Sequence, residues 1–280
     1  MHIRSLLTKI WAYAGIIIVT AVIIFLFAFI LIKGSSTISP EFLTKPPSGL
    51  VLGSEGGILP AITGSLAFTA TAIVIGAVPA IATALYLVFI CRNRKTENLI
   101  HLVVQCIAGI PSIVLGLFAY SLFVRDLKLG RCILSSGIAL GIMVLPFIEV
   151  RAEKAFRELS PAMIQSAYAL GCTKTHTIWT VVLPACRGEL FSGIILGGCY
   201  AMGATAPMIF TGAVAYAANP TSLLKPAMAL PLHLYLLVAQ GVTSLDMAYG
   251  TALVMMAVIL VSNLLVTIYA RRRQRAWKQQ

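Results

Sequence analysis

Long apolar stretches, separated by short polar segments, run along most of this chain of 280 residues. A helix that spans a bilayer needs about 20 apolar residues, because the hydrocarbon layer is about 30 Å thick and each helical residue rises about 1.5 Å. Six stretches meet or approach that length, so the pattern predicts an all-α polytopic membrane protein with six transmembrane helices. These stretches are 11–32, part of 61–91, 99–124, 132–148, part of 190–210 and 247–270.

A further apolar stretch, residues 226–245, is interrupted by Pro226, Pro231, His233 and Gln240. A seventh span would also place the two basic ends of the chain on opposite sides of the membrane. We therefore expect a short helix here, which lies at the outer surface or dips into the bilayer.

The distribution of basic residues predicts how the chain crosses the membrane. Lys and Arg number 21 and Asp and Glu number 9, which gives a net charge of +12. With six spans and both termini in the cytoplasm, 15 of the 21 basic residues lie inside, in agreement with the positive-inside rule. The basic run at 271–275 is expected to bind anionic membrane lipids, and the charge requires no nucleic acid partner.

This topology divides the chain into three predicted parts. Residues 1–60 form an N-terminal anchor span and an outer loop, and the first span is expected to be retained because no small-x-small cleavage site follows it. Residues 61–270 form the transmembrane core, which includes a cytoplasmic loop at 151–187. Residues 271–280 form a basic cytoplasmic tail.

The sequence offers no catalytic machinery of its own. It contains no GxxxxGK[ST] phosphate-binding loop, and no Ser or Cys nucleophile stands in a recognisable frame with a base. The six cysteines form no CxxC pair, and the four histidines show no metal-ligand spacing. We therefore predict that the chain is not an enzyme and that it binds no metal and no cofactor.

The polar stretch QSAYALGCTKTHTIWTVVLPA, residues 165–185, belongs to a segment with the punctuation of two short helices. Ser160 followed by Pro161 is typical of a helix start, and Gly171 suits the left-handed position that ends a helix. The first helix is predicted over 161–170, Thr173 can cap a second one, and Pro184 must interrupt or kink it. The residues predicted to form one apolar face are Met163, Ile164, Ala167 and Leu170.

Three interpretations of this segment compete. A plain connector between spans would not need such caps. A DNA-reading helix-turn-helix would be tethered within a few residues of the bilayer and would carry little net charge on its second helix. A docking element that fits a cleft on a separate cytoplasmic ATPase explains both the caps and the small residues, which would let a partner surface approach closely. These small residues are Ser166, Ala167, Ala169 and Gly171.

The segment also resembles the cytoplasmic loop of ABC importer permeases, which has the pattern EAA, three residues, Gly and later Leu-Pro. Here it reads Gln165-Ser166-Ala167, Gly171 and Leu183-Pro184. Other stretches resemble the smaller permease subunit of bacterial phosphate-specific ABC importers. They are GGILPAITGSL at 56–66, AGIPSIVLGLFAY at 108–120, GATAPMIFTGA at 203–213, ALPLHLYLL at 229–237 and NLL at 263–265.

The resemblance implies a type I ABC importer permease fold in the bacterial cytoplasmic (inner) membrane, which moves phosphate by alternating access. It also implies the partners, which are a homologous second permease, an extracytoplasmic phosphate-binding protein and two ATPase subunits that bind the ATP and Mg. The residues it implies for ATPase coupling are Gln165, Ser166, Ala167, Leu170 and Gly171. Membrane lipids complete the expected surroundings.

Two helix breaks mark the predicted translocation pathway. Pro111 interrupts the third span, and Pro207 with Gly203 interrupts the fifth, which frees backbone groups that can face an anion. The residues placed on the pathway are Ser112, Tyr200 and Thr205. The alternative is that these breaks are kinks for gating and packing, in which glycines allow helices to approach closely. Those glycines are Gly109, Gly116, Gly197, Gly198 and Gly203.

Four positions depart from the pattern of the phosphate permeases. Gln165 and the region of Phe89 lack a usual Glu, Tyr200 replaces a usual Arg, and Ala204 replaces a usual Glu. Either the partner permease supplies the counter-charge, or this chain is a divergent relative with altered substrate or reduced activity. The alternatives to phosphate import are a permease for another oxyanion such as molybdate or sulfate, and a membrane scaffold or sensor that does not transport.

Overall fold

The computed structural model describes residues 2–49, 51–241 and 244–278, and this part of the chain is almost entirely helical. A ladder of two residues per strand, Pro47–Ser48 with Glu55–Gly56, is antiparallel. The helices are α1 (His2–Ser35), α2 (Pro40–Thr44), α3 (Leu59–Leu85), α4 (Arg94–Gly109), α5 (Ser112–Ala119), α6 (Ile133–Arg157), α7 (Pro161–Ala169), α8 (Lys174–Thr177), α9 (Leu183–Gly203), α10 (Ala206–Thr211), α11 (Leu230–Ala239) and α12 (Leu245–Lys278). π-Helical turns occupy Tyr86–Ile90, Tyr120–Asp126 and Ile178–Val182.

Five helical segments of the described chain are long and apolar enough to cross a membrane, and a bent pair of helices raises the number to six. The five are Lys9–Ser35, Leu59–Ile90, Ile133–Arg157, Lys174–Gly203 and Leu245–Leu265, and the bent pair is Arg94–Gly109 with Ser112–Asp126. The predicted all-α membrane fold is therefore confirmed.

The predicted third span, 99–124, is not one continuous helix. Its two halves meet at an angle of 96°. Pro111 has no backbone N–H, and Ile110, the residue before it, is extended at φ −71° and ψ 125°, as a residue before proline prefers. The break predicted at Pro111 is confirmed, and it turns the chain far more sharply than a kink does.

Helices occupy much of the predicted cytoplasmic segment 151–187. Helix α6 continues to Arg157, and the next apolar segment already begins at Lys174. Charged residues near the end of α6 pair with side chains of α4, so they lie on a packed helix and not in a loop. The connecting part, residues 160–173 with α7 at its centre, is hereafter the docking segment.

The chain forms two compact units, of which the larger comprises Leu59–His233 and Ala257–Gln280. Its centre is the packing of α3 against α6, where small residues let the backbones approach closely. A Cβ on Gly76 would lie 2.7 Å from the carbonyl oxygen of Gly141, so any larger residue there would separate the two helices.

The smaller unit comprises Met1–Ile58 and Leu234–Met256. The Ser39 hydroxyl caps α2 by accepting a hydrogen bond from the Phe42 amide, and the Phe42 ring is buried. Leu52, Leu237 and Ala248 form a buried cluster. In α1, the large apolar side chains between Ile10 and Ile32 are nearly all exposed, which suits a helix surrounded by lipid.

The stretch 226–245 contains α11, which has 10 residues and a length of about 15 Å. The prediction of a short helix is confirmed, and its position at the membrane surface stays a prediction. Burial lowers the pKa of His233 to about 4, so this ring is neutral near pH 7 and packs among apolar groups. Of the predicted basic tail, residues 271–278 continue α12, and residues 279 and 280 lie outside the described part.

Candidate functional site

The docking segment is held in shape by local backbone rules. Pro161 occupies the first turn of α7, and Gly171 ends the helix at φ +81°, as predicted. The Gly171 amide bonds the Tyr168 carbonyl at 3.0 Å and the Cys172 amide bonds the Ala167 carbonyl at 3.1 Å, which is the Schellman arrangement. This end of α7 is therefore a defined turn.

The two predicted capping residues differ in the structure. Thr173 caps α8, since its hydroxyl accepts a hydrogen bond from the His176 amide at 3.3 Å. Ser160 stands at the start of α7 with an extended backbone, but its hydroxyl makes no capping bond. The prediction that the Ser160 side chain caps α7 is therefore wrong. Pro161, with its fixed φ, defines the start of this helix.

The surface of the docking segment differs in part from the predicted face. Gln165, Ser166 and Gly171 are exposed, whereas Ala167 is buried and cannot offer contact area to a partner. Leu170 was expected on the same face as Ala167, yet it is 84% exposed because the turn at Gly171 directs it away.

A cleft of about 390 Å³ opens at the two helix breaks of the larger unit and is hereafter the membrane cleft. The predicted pathway residues Ser112, Tyr200 and Thr205 all line it, and so does Gly203. The structure adds residues that sequence reasoning missed, because they come from the middle of helices without a local pattern. The complete lining is Ser112, Met143, Cys199, Tyr200, Gly203, Ala204 and Thr205.

The chemistry of the membrane cleft is that of hydroxyl groups without charge. In the part of the chain that the structure describes, the hydroxyls of Ser112, Tyr200 and Thr205 make no hydrogen bond to the protein, so they are available to a solute. The ring of Tyr200 packs on Phe147 with centroids 4.5 Å apart. Tyr200 and Ala204, two of the four positions that depart from the pattern of the family that the sequence resembles, both line the cleft.

The glycines near the cleft divide into two groups. Gly116, Gly197 and Gly198 do allow close approach, since a Cβ there would lie within 3.0 Å of Pro207, Ile148 and Ile73 respectively. A Cβ on Gly109 or Gly203 would meet nothing within 4 Å. The predicted packing role is therefore wrong for these last two, which border open space at the helix breaks.

The half-helix α10 after the second break is fixed at its far end. Nη2 of Arg131 donates to the carbonyls of Ile209 at 2.9 Å and Ala213 at 2.6 Å. The hydroxyls of Ser136 and Thr211 are 2.7 Å apart. The predicted break at Pro207 is confirmed as a new helix start, with Pro207 in its first turn and Thr205 open to the cleft.

One group of side chains that can ligate a metal occurs in the described part of the chain. Ligand atoms of Glu97, His101 and Glu153 lie within 4.8 Å of one another. Arg157 bonds both carboxylates at 2.7 Å, so a guanidinium already neutralises them. The geometry supports a charge cluster between helices better than a metal site.

Residues 72–275 match the family described as binding-protein-dependent transport system inner membrane component, and this match includes both the docking segment and the membrane cleft. The chain belongs to this family. It is a multi-span ABC importer permease of the inner membrane, a transporter subunit.

Similar proteins agree with this assignment. The chain is 32% identical over 208 residues to a probable phosphate transport system permease protein PstA of Methanocaldococcus jannaschii, which covers 74% of this chain and 73% of that protein. It is 29% identical to phosphate transport system permease protein PstA 1 of Mycobacterium tuberculosis, with 79% and 72% covered. A structure of the MetNI methionine ABC transporter in an inward-facing conformation matches with a TM-score of 0.62 at 18% identity, covering 78% of this chain and 95% of that one, which supports the fold.

Proposed function

We propose that this permease carries inorganic phosphate into the cytoplasm by alternating access, with both termini and the docking segment on the cytoplasmic side. Phosphate is supported by the relatives that are phosphate permeases by name. The observation that carries the proposal is the convergence of Ser112, Tyr200 and Thr205 at two helix breaks that face one cleft.

The uncharged lining decides what this chain contributes to binding. A phosphate dianion is held by hydroxyl groups and by the free amides at the start of α5, where the first N–H groups have no partner within the helix. The membrane cleft supplies no cationic side chain from the described residues. The counter-charge therefore comes from the homologous second permease, and each subunit provides half of the site.

The docking segment completes the mechanism. A binding protein delivers phosphate from outside, and two ATPase subunits bind ATP with Mg and drive the switch between outward and inward states. An ATPase can shift that equilibrium only if it contacts the two states differently. The capped turn and the bare Leu170 provide a rigid contact for this purpose.

Uptake after deletion tests the substrate. Cells that lack this chain should lose labelled phosphate uptake and regain it from a plasmid copy, with no competition from tenfold molybdate or sulfate. Loss of molybdate or sulfate uptake instead would assign another oxyanion, and unchanged uptake of all three would favour a scaffold or sensor.

A charge-restoring variant tests the divided site. Tyr200→Arg with Ala204→Glu places the charges of related permeases in the cleft. If the second permease supplies the counter-charge, the added pair brings no gain in phosphate uptake. A gain would instead identify this chain as a divergent relative whose own pathway has lost activity.

A further inference from the structure

A charge cluster joins α4 to the end of α6. Nε of Arg157 donates to Oε1 of Glu153 at 2.7 Å, and Nη2 of the same guanidinium donates to Oε1 of Glu97 at 2.7 Å. Nε2 of His101 lies 3.5 Å from Oε1 of Glu153. One arginine thus binds a carboxylate of its own helix and one of the helix that packs against it.

The cluster is partly buried, with its two carboxylates more enclosed than the Arg157 side chain, which is 48% exposed. The side chain of Glu153 is 11% exposed and that of Glu97 is 32% exposed. A planar guanidinium that donates in two directions fixes both carboxylates in geometry as well as in charge. A lysine would offer only a compact charge on a flexible stem, without this fixed geometry.

Glu149 lies one helical turn before Glu153 on α6 and adds a third carboxyl group near the charge cluster. Glu149 is fully buried, and within the described chain neither of its carboxylate oxygens has a hydrogen-bond partner. Arg157 pairs with two of these three acidic side chains, Glu97 and Glu153. Loss of Arg157 leaves these acids to repel one another, whereas loss of Glu97 removes only one link.

The position of the cluster connects the docking segment with the membrane cleft. Arg157 is the last residue of α6, just before the docking segment, whereas Glu97 lies in the first turn of α4. Helix α4 ends at the 96° bend, and Ser112, the first residue of α5, lines the cleft. A displacement of the docking segment could thus pass through the end of α6, the Arg157–Glu97 pair and α4 to the cleft.

We propose that Arg157 and Glu97 form a latch, a pair of positioning residues through which movement of the docking segment is passed to α4 and so to the cleft. The inference rests on the proposed function of the docking segment as the ATPase contact. The latch holds α4 and the end of α6 together throughout the transport cycle, so that both move as one body. His101 and Glu153 support it from the two helices.

The test measures coupling in the assembled importer, reconstituted in liposomes with its ATPase, second permease and binding protein. The readout is solute taken up per ATP hydrolysed. Arg157→Gln and Glu97→Gln should each lower this ratio about five- to tenfold, a size typical of residues that carry coupling, with the larger loss for Arg157→Gln. ATP hydrolysis without binding protein, and the amount of assembled complex, should stay at the level of the unaltered importer.

Three further variants separate the latch from a general loss of fold. Glu97→Asp keeps the charge but withdraws the carboxylate by about 1.5 Å, so coupling should still fall. The exchange Glu97→Arg with Arg157→Glu should recover at least half of the native ratio. Glu158→Gln is the matched control, because Glu158 pairs with Lys154 at 3.8 Å and both side chains are exposed.

Native coupling in Arg157→Gln and Glu97→Asp would overturn the latch, as would an equal loss in Glu158→Gln. If Arg157→Gln and Glu97→Gln do not assemble, Glu97→Asp and the exchanged pair still decide, because both keep the charges. The substrate is tested separately on the unaltered complex. If that complex carries a solute other than phosphate, the ratio is measured with that solute and the latch is judged by the same variants.

Discussion

The docking segment and the membrane cleft are both made by interrupted helices, but the interruptions have different physical character. In the docking segment the chain turns through Gly171 at φ +81°, closed by two backbone hydrogen bonds, and it exposes Leu170. At the cleft the interruption leaves open space beside Gly203 and free hydroxyls on Ser112 and Thr205. The break in the docking segment is closed, because its backbone groups bond one another. The break at the cleft is open, because it leaves unbonded hydroxyl groups and unfilled space.

On the proposed function, separate parts of one subunit transmit force and bind solute, and the difference fits that division. A contact that transmits force must not deform, so its backbone groups are satisfied locally. A site that binds and releases a solute keeps polar groups without permanent partners, and it tolerates space around its hinges. Replacing a glycine by alanine should therefore disturb the fold in the docking segment and leave it unchanged at the cleft.

Replacing Leu170 by Asp should have the largest effect, because it removes an apolar anchor from the docking surface. Binding of the ATPase to the purified permease pair should weaken about thirtyfold or more, as for a central interface residue worth about 2 kcal/mol. The fold should be unaffected, since Leu170 is 84% exposed. A titration of ATPase by light scattering or calorimetry measures the change, and native affinity would exclude Leu170 from the interface.

Replacing Gly171 by Ala should open the docking turn, whereas Gly203→Ala should leave the fold unchanged. The first glycine is at positive φ, where a Cβ costs about 1–2 kcal/mol, and the second borders open space at ordinary φ. Tryptic cleavage at the adjacent exposed Lys174 should accelerate about five- to thirtyfold in Gly171→Ala only. Equal rates in the two variants would remove the distinction between closed and open breaks.

Replacing Thr205 by Val should lower apparent solute affinity about two- to tenfold, because one free hydroxyl is lost and the shape is kept. Thr211→Val is the matched control, since the Thr211 hydroxyl is buried and bonded to Ser136 and Pro207. That control should lower thermal stability and leave affinity intact. Concentration-dependent uptake and thermal unfolding measure the two effects, and unchanged affinity in Thr205→Val would take this residue off the pathway.

Sequence reasoning succeeded where the determinant is local. Pro161, Gly171 and Thr173 act on their immediate neighbours, and Pro111 with its preceding residue dictates a break without help from the rest of the fold. Ser112 and Thr205 were placed on a pathway because they lie beside the proline breaks, and Tyr200 because it departs from the family pattern; the structure adds that all three line one cleft. Pro79 and Pro146 show the limit, because both lie inside continuous helices whose packing overrides the local preference.

Features that depend on distant residues were not visible in the sequence. Met143 joins the cleft from the middle of α6, and Cys199 does so from α9. Arg157 and Glu97 are 60 positions apart, so no periodicity relates them. The helical pattern alone placed Leu170 on the same face as Ala167, and it could not show that the first is exposed and the second buried.

The most direct measurement of the central claim, that the docking segment is the ATPase contact, is a crosslink in the assembled complex. In a chain whose six native cysteines are replaced, Ser166→Cys should crosslink to the ATPase, because Ser166 is exposed on α7. The control Ser36→Cys, at the exposed end of the first span, should give no ATPase product. Crosslinking from Ser36→Cys alone, or equally from both positions, would contradict both the docking contact and the proposed orientation.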